Sequence, residues 1–169
     1  MNDLMKVNYS DQPVILAENS VFLCGPTPRE KDVPSWRPQA VEYFREMGFD
    51  GVIYVPEYST EQVFQDYERQ IKHDYERQVE WEWKALDQAG AILFWVPRNL
   101  ETMPAFTTNV EFGYWVRDDR AFYGRPSSAV LVRYLDSLYK RHHKDRLVYT
   151  DLHSLCGRCC DYLQWKTSK

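Results

Sequence analysis

The sequence predicts a doubly wound α/β fold, a parallel sheet held as the middle layer of a three-layer sandwich. Three observations predict it. Short apolar runs recur along the chain and are hydrophobic at every position rather than at alternate ones, as strands covered on both faces are. Three of them run into a proline, which lacks an N–H and ends a ladder. Segments with helical spacing lie between the runs, so strands and helices alternate.

In chain order, Val14-Ile15-Leu16 is an expected edge strand, paired with the next run through Glu18-Asn19-Ser20. Val21-Phe22-Leu23-Cys24 leads into Gly25-Pro26. Ser35 is placed to cap a helix with Pro38 in its first turn; Ala40, Val41, Phe44 and Met47 follow at helical spacing, and Gly48 closes it. Val52-Ile53-Tyr54-Val55 ends at Pro56. A long charged helix is expected from near Ser59 or Thr60. It carries an eight-residue echo, Asp66-Tyr67-Glu68-Arg69-Gln70-Ile71 and Asp74-Tyr75-Glu76-Arg77-Gln78-Val79, read as a solvated face. Val79, Trp83 and Leu86 form its expected buried stripe. Ala91–Val96 then runs into Pro97, a helix is expected from near Thr108, and Ala121-Phe122-Tyr123 precedes Gly124-Arg125-Pro126. A helix over about Ser128–Arg141 and a stripe of Leu152, Leu155, Cys159 and Leu163 complete the pattern. No linker composition interrupts the 169 residues, so a single domain, 1–169, is expected.

Composition narrows the function classes. With 21 basic residues against 25 acidic and a net charge of −4, the chain is unsuited to hold extended DNA or RNA. The longest apolar run, Ala91–Val96, is far shorter than the ~20 residues of a membrane helix, so no membrane partner is expected. The polar Met1–Asp11 segment lacks the apolar region of a signal peptide, and a reducing cytoplasm is the expected location of the four cysteines. Aromatic residues make up 15%, and flat rings suit both cores and flat ligands.

In sheets of this type ligands bind beyond the carboxyl ends of the strands. Those ends lead into Gly25–Glu30, Pro56–Tyr58 and Pro97–Thr107. After the last of these loops comes Glu111, expected in the first turn of a helix, where the dipole favours an ionised carboxylate. Such a carboxylate can attack an anomeric carbon and form a covalent glycosyl-enzyme. The same spacing, Thr108-x-x-Glu111, is also a capping box, in which the glutamate only satisfies main-chain N–H groups. A second acid is needed for the leaving group, and Glu80, Glu82 and Asp87 are the candidates. Helix geometry puts Glu82 nearest the border of the buried stripe. Gly25 permits close backbone approach to a ligand, but the loop is neither a P-loop nor a dinucleotide fingerprint. Arg29 is a candidate anion contact, whereas Arg37 reads as a solvated turn residue. Cys156-x-x-Cys159-Cys160 with His153 lacks the second ligand pair of a zinc site, so no metal is expected, and these cysteines read as apolar packing. Burial in mid-strand opposes a nucleophilic Cys24.

The chain resembles the nucleoside 2-deoxyribosyltransferases, and more closely their nucleoside 2-deoxyribosyltransferase-like branch. The resemblance spans roughly Val21 to Pro126. It rests on Val21-Phe22-Leu23-Cys24-Gly25-Pro26, on Gln78-Val79-Glu80-Trp81-Glu82 running into Ala89–Pro97, and above all on Met103-Pro104-Ala105-Phe106-Thr107-Thr108-Asn109-Val110-Glu111-Phe112-Gly113. It implies a flavodoxin-like or Rossmann-like fold. It implies that Glu111 attacks C1′ of a nucleoside, releasing the base and passing the sugar to another base or to water. Glu82 stands where the family carries a base-contacting aspartate. Ala105 stands where the family often has Asp or Ser, and Thr108 and Asn109 are the candidates to take over that contact. A homo-oligomer whose subunits complete one another's pockets is implied as well.

The expected activity is therefore cleavage or transfer of the N-glycosidic bond of a (deoxy)ribonucleoside, with Glu111 as nucleophile and Glu82 on the base. Gly25, Pro26 and Thr27 are expected to line the pocket, with Trp36, Trp81 and Phe106 as walls. The partner is a small-molecule nucleoside or nucleotide, and no cofactor is called for. The alternatives are hydrolysis of nucleoside 5′-monophosphates, with Arg29 near the phosphate, a non-catalytic nucleotide sensor, and an assembly protein that keeps only the fold.

Overall fold

The structure, a computed structural model, describes residues 4–30, 32–60 and 75–168. Five strands form one parallel sheet in the order β1-β3-β2-β4-β5: β1 Lys6–Tyr9, β2 Ser20–Cys24, β3 Val52–Val55, β4 Ala91–Trp95 and β5 Ala121–Gly124. The helices are α1 Arg37–Glu46, α2 Tyr75–Gln88, α3 Phe106–Trp115, α4 Arg133–His142 and α5 Leu152–Thr167.

Strict alternation along the strands makes two cores. Val21, Leu23, Ile53, Val55, Leu93, Trp95 and Phe122 pack against α1 and α5. Phe22, Cys24, Tyr54, Ile92, Phe94 and Tyr123 pack against α2, α3 and α4. Both faces of the sheet are therefore dry, which is why the strands are apolar at every position. Cys156, Cys159 and Cys160 are buried in the first core and carry no disulfide. The expected three-layer, doubly wound architecture is the one observed.

The differences from the sequence expectation have local causes. The edge strand is Lys6–Tyr9, beside β3, and not Val14–Leu16. The latter segment spends its hydrogen bonds elsewhere: Ile15 N–H donates to Asn8 Oδ1 at 2.8 Å, and the Ile15 carbonyl accepts from the Tyr54 hydroxyl at 2.5 Å. The helix expected from Ser128 begins at Arg133, because Leu131 has a left-handed φ of 51° and its carbonyl accepts from Arg98 at 2.7 Å. Gly48, at φ 70°, closes α1 as expected. Ser59 and Thr60, near which the long charged helix is expected to begin, are not helical; the described part of that segment is helical from Tyr75, and most of the echo lies outside the described residues.

β2 is the pivot of the topology. Its neighbours are β3 on one side and β4 on the other, and its crossover helix α1 lies on the opposite face from the α3 that follows β4. A crevice opens at such a switch point, beyond the carboxyl ends of β2 and β4.

Candidate active site

The β2 end of the crevice is built around a buried cation. Arg37 is 2% exposed, which corrects the expectation of a solvated turn residue. Its Nε donates to the Leu23 carbonyl at 3.1 Å, one terminal nitrogen donates to the Gly25 carbonyl, and the other reaches Thr27 Oγ1 at 3.0 Å and Glu57 Oε1 at 2.6 Å. Ser35 accepts from the Arg37 N–H at 3.2 Å and donates to the same Glu57 oxygen at 2.8 Å. A five-donor planar fork can hold a turn in this way, and an ammonium cannot. Gly25 is required here by close approach: a Cβ would lie 2.1 Å from the Trp95 carbonyl oxygen and 2.8 Å from the Trp36 ring.

The β4 end is shaped by a turn at Ala105. The Arg29 N–H donates to the Thr102 carbonyl at 2.9 Å and ties the two loops together. Ala105 takes a left-handed conformation, φ 63° and ψ 39°, and the helix begins immediately after it. That start lies two residues upstream of Thr108, so Thr108 is the third helical residue and Glu111 the sixth. The capping box is therefore not formed; Glu111 sits in the second turn, not the first, and its side chain is free for the crevice. A left-handed alanine costs about 1–2 kcal/mol. Replacing it by glycine relieves this but widens the unfolded ensemble by roughly 0.5–1 kcal/mol. Ala105→Gly is accordingly expected to raise stability by about 0.5–1 kcal/mol, read as a higher urea midpoint at unchanged slope.

The third wall is one face of α2. Tyr75, Gln78, Val79 and Glu82, spaced three and four apart, line the cavity. The face beneath it, Trp81, Ala85 and Leu86, is buried in the core. Trp83, expected in the buried stripe, is instead 61% exposed. The tryptophan that packs inward is Trp81, between Phe22 and Tyr54, with its ring N–H donating to the Gln12 carbonyl at 2.9 Å. The helix is thus rotated from the expected phase, yet Glu82 still faces the crevice. Glu80 and Asp87 are exposed.

These walls enclose a cavity of about 250 Å³, the scale of one small molecule. It holds both predicted carboxylates, together with Gly25, Pro26, Thr27, Arg29, Phe106 and Thr108. Glu111 Oε2 accepts from the Cys24 thiol at 3.1 Å, and Glu82 Oε1 accepts from Gln78 Nε2 at 2.8 Å. Burial pushes the Glu111 carboxyl up to about 7; the Cys24 thiol opposes the rise, the Glu82 charge adds to it, and the Arg37 cation opposes it. Desolvation therefore overrides the helix dipole expected to keep Glu111 ionised. Burial also raises Glu82, against the Gln78 hydrogen bond and the Arg37 charge. Two desolvated carboxyls in one cleft are a common arrangement for acid–base work.

Three predicted residues stand behind or beside the cavity wall. Trp36 lies under the β2 loop, its ring N–H donating to the Pro26 carbonyl at 3.1 Å. Trp81 is in the core. Asn109 accepts from the Arg98 guanidinium. Sequence reasoning missed Arg37 as part of the wall, along with Gln78 and the thiol contact of Cys24. A signal for Arg37 was present in its position just before Pro38 at a helix start, within reach of the preceding strand end.

A parallel, doubly wound sheet with two carboxyls in one cleft at its switch point is the class of fold that holds a small molecule beyond its strand ends. The chain belongs to the nucleoside 2-deoxyribosyltransferase-like family, which matches residues 18–128. That match spans β2 to β5 and so includes every cavity-lining segment. At the level of the family the activity is nucleoside glycosyl transfer and the substrates are small-molecule nucleosides. No curated protein matches the chain. No helix among the described residues is long and apolar enough to cross a membrane.

Proposed function

We propose that the protein breaks the N-glycosidic bond of a (deoxy)ribonucleoside through a glycosyl–glutamate intermediate on Glu111. The observation that carries this reading is the pair of half-buried carboxyls, Glu111 and Glu82, lining one cavity of about 250 Å³. An ionised Glu111 oxygen attacks C1′. The C1′–N bond breaks, its electron pair and a proton from solvent go to the base nitrogen, and Glu82 holds the departing base by a hydrogen bond. An acceptor base or water then attacks C1′, the ester bond to Glu111 breaks, and the acceptor's proton goes to solvent. Net charge and atoms balance without a cofactor.

Gly25, Pro26, Thr27, Phe106 and Thr108 bind the substrate in this reading. Arg29, stacked 5.3 Å over the Phe106 ring at the same wall, supports a second reading, in which a 5′-phosphate is held there and water is the acceptor. The test is incubation with a panel of nucleosides and their 5′-monophosphates, following free base by chromatography with and without an acceptor base. Base release supports the enzyme, and dependence on the 5′-phosphate selects the second reading. Ligand-induced stabilisation without base release points instead to a sensor.

The working form proposed is a homo-oligomer. Phe106, Val110 and Tyr114, four residues apart, put an apolar stripe on the outer face of α3, at 66%, 73% and 76% exposure, and Phe106 also lines the cavity. Val110→Asp is expected to shift the sedimentation coefficient to that of a monomer at unchanged helix content; an unaltered coefficient removes this face as the interface.

A further inference from the structure

Cys24 is the last residue of β2 and lies on the same sheet face as Phe22, against α3. It is 1% exposed, and its side chain lines the cavity. Its Sγ lies 3.1 Å from Glu111 Oε2, across 87 residues of sequence. Among the described residues that is the hydrogen bond found on the Glu111 carboxylate, so Oε1 has no protein partner there. We propose that Cys24 is a positioning residue for Glu111: its thiol donates to Oε2, fixes the rotation of the carboxyl group, and leaves Oε1 directed at the cavity as the attacking atom. The inference rests on the reading of Glu111 as nucleophile, and it assigns no bond-making step to sulfur.

The chemistry of the thiol suits the task. Burial, and then the neighbouring Glu111 charge, push Cys24 well above its ordinary range, so it keeps its proton and acts as a donor at any working pH. A thiol is a weak donor with little desolvation cost, so it can be buried against an apolar core and still orient a carboxylate. A donor to the charged form also favours that form, which opposes the upward push of burial on Glu111. Among the described residues, the charged and titratable groups that face Glu111 are Cys24 from β2, Glu82 from α2 and Arg37 from α1, and Arg29 and Tyr75 also line the cavity wall.

The test compares Cys24→Val, which keeps apolar bulk and strand propensity but has no donor, with Cys24→Ser, which keeps a donor. The titration midpoint of Glu111 is read directly by carboxyl carbon NMR on protein labelled at glutamate, with Glu111→Gln assigning the resonance. Cys24→Val is expected to move the midpoint upward by half a unit or more, and Cys24→Ser to return it to the native value or below. In parallel, kcat at pH 6 should fall at least tenfold in the valine variant and recover in the serine variant, with KM changed less than twofold. A packing role alone gives a midpoint unmoved by valine, and that result overturns the proposal. If neither variant folds, the S–H stretch of the native protein decides: a band that shifts as Glu111 titrates supports the contact, and a band indifferent to pH overturns it. A shifted midpoint in a protein that releases no base leaves Cys24 in place and removes the glycosidase reading, so the two failures are distinguishable.

Discussion

Glu111→Gln is expected to lower base release by at least ~10³-fold while making the protein more stable at neutral and alkaline pH. Both effects come from one carboxyl. The amide retains an oxygen that accepts from the Cys24 thiol and nearly the same volume, so packing is preserved, but it is no nucleophile. The stability effect follows from linkage. Glu111 sits at about 7 in the folded state against an ordinary value of 4.5, so the native state binds its proton more tightly than the unfolded chain does. Its contribution is greatest below the unfolded value, declines as pH rises from 4.5, and levels off once pH passes 7. Glutamine has no such slope. The variant should therefore match the native protein near pH 4 and exceed it by about 3 kcal/mol at pH 8, since each unit is worth about 1.4 kcal/mol. Urea midpoints at the two pH values check this. A gap that does not change with pH means the carboxyl titrates as if in water, and retained base release means another group is the nucleophile. With Glu111 as the proposed nucleophile, the same value predicts that kcat/KM for base release rises with pH through about 7 as Glu111 ionises.

The sheet was legible because its strands are buried on both faces, so each run advertises itself without alternation. Lys6–Tyr9 was not, because an edge strand of four residues with a charged first position resembles a loop, whereas the more apolar Val14–Leu16 does not pair. The carboxylate pair was also legible, though the geometry offered for it was incomplete. Glu82 was placed from a stripe that included Trp83, and the structure turns that residue outward. Glu82 lines the cavity all the same, because it shares a helical face with Gln78 and Val79. For Glu111 the spacing to Thr108 pointed to a cap, and a left-handed Ala105 decided otherwise. Alanine at positive φ leaves no mark in composition or periodicity, since only tertiary constraint imposes it. Arg37 is the remaining case: charge predicts exposure, and only the three-dimensional convergence of carbonyl oxygens from β2 and its loop shows why a guanidinium is buried there.

That burial makes Arg37 the second position with a large expected effect. Arg37→Met should destabilise the fold by about 3 kcal/mol, because it removes the donor to the Leu23 and Gly25 carbonyls and leaves Glu57 without its cation. Methionine fills much of the volume, so the loss reports hydrogen bonds and charge rather than a void. For a chain of this size that is a fall of roughly 6–12 °C in melting temperature. The consequences extend to the cavity. Gly25 and Thr27 are held by the same guanidinium, so the substrate loop loses its anchor and KM should rise at least tenfold. Arg37 also holds down both Glu111 and Glu82, so the acid limb of the pH–rate profile should move upward in the variant. Arg37→Lys should recover little, since an ammonium cannot reproduce the planar fork. Pairing Arg37→Met with Glu57→Gln should regain about 1 kcal/mol by removing the stranded carboxylate, a coupling that a double-mutant cycle isolates. Additive losses in that cycle would show that Glu57 is satisfied by Ser35 and solvent, and that the buried cation serves the loop carbonyls alone.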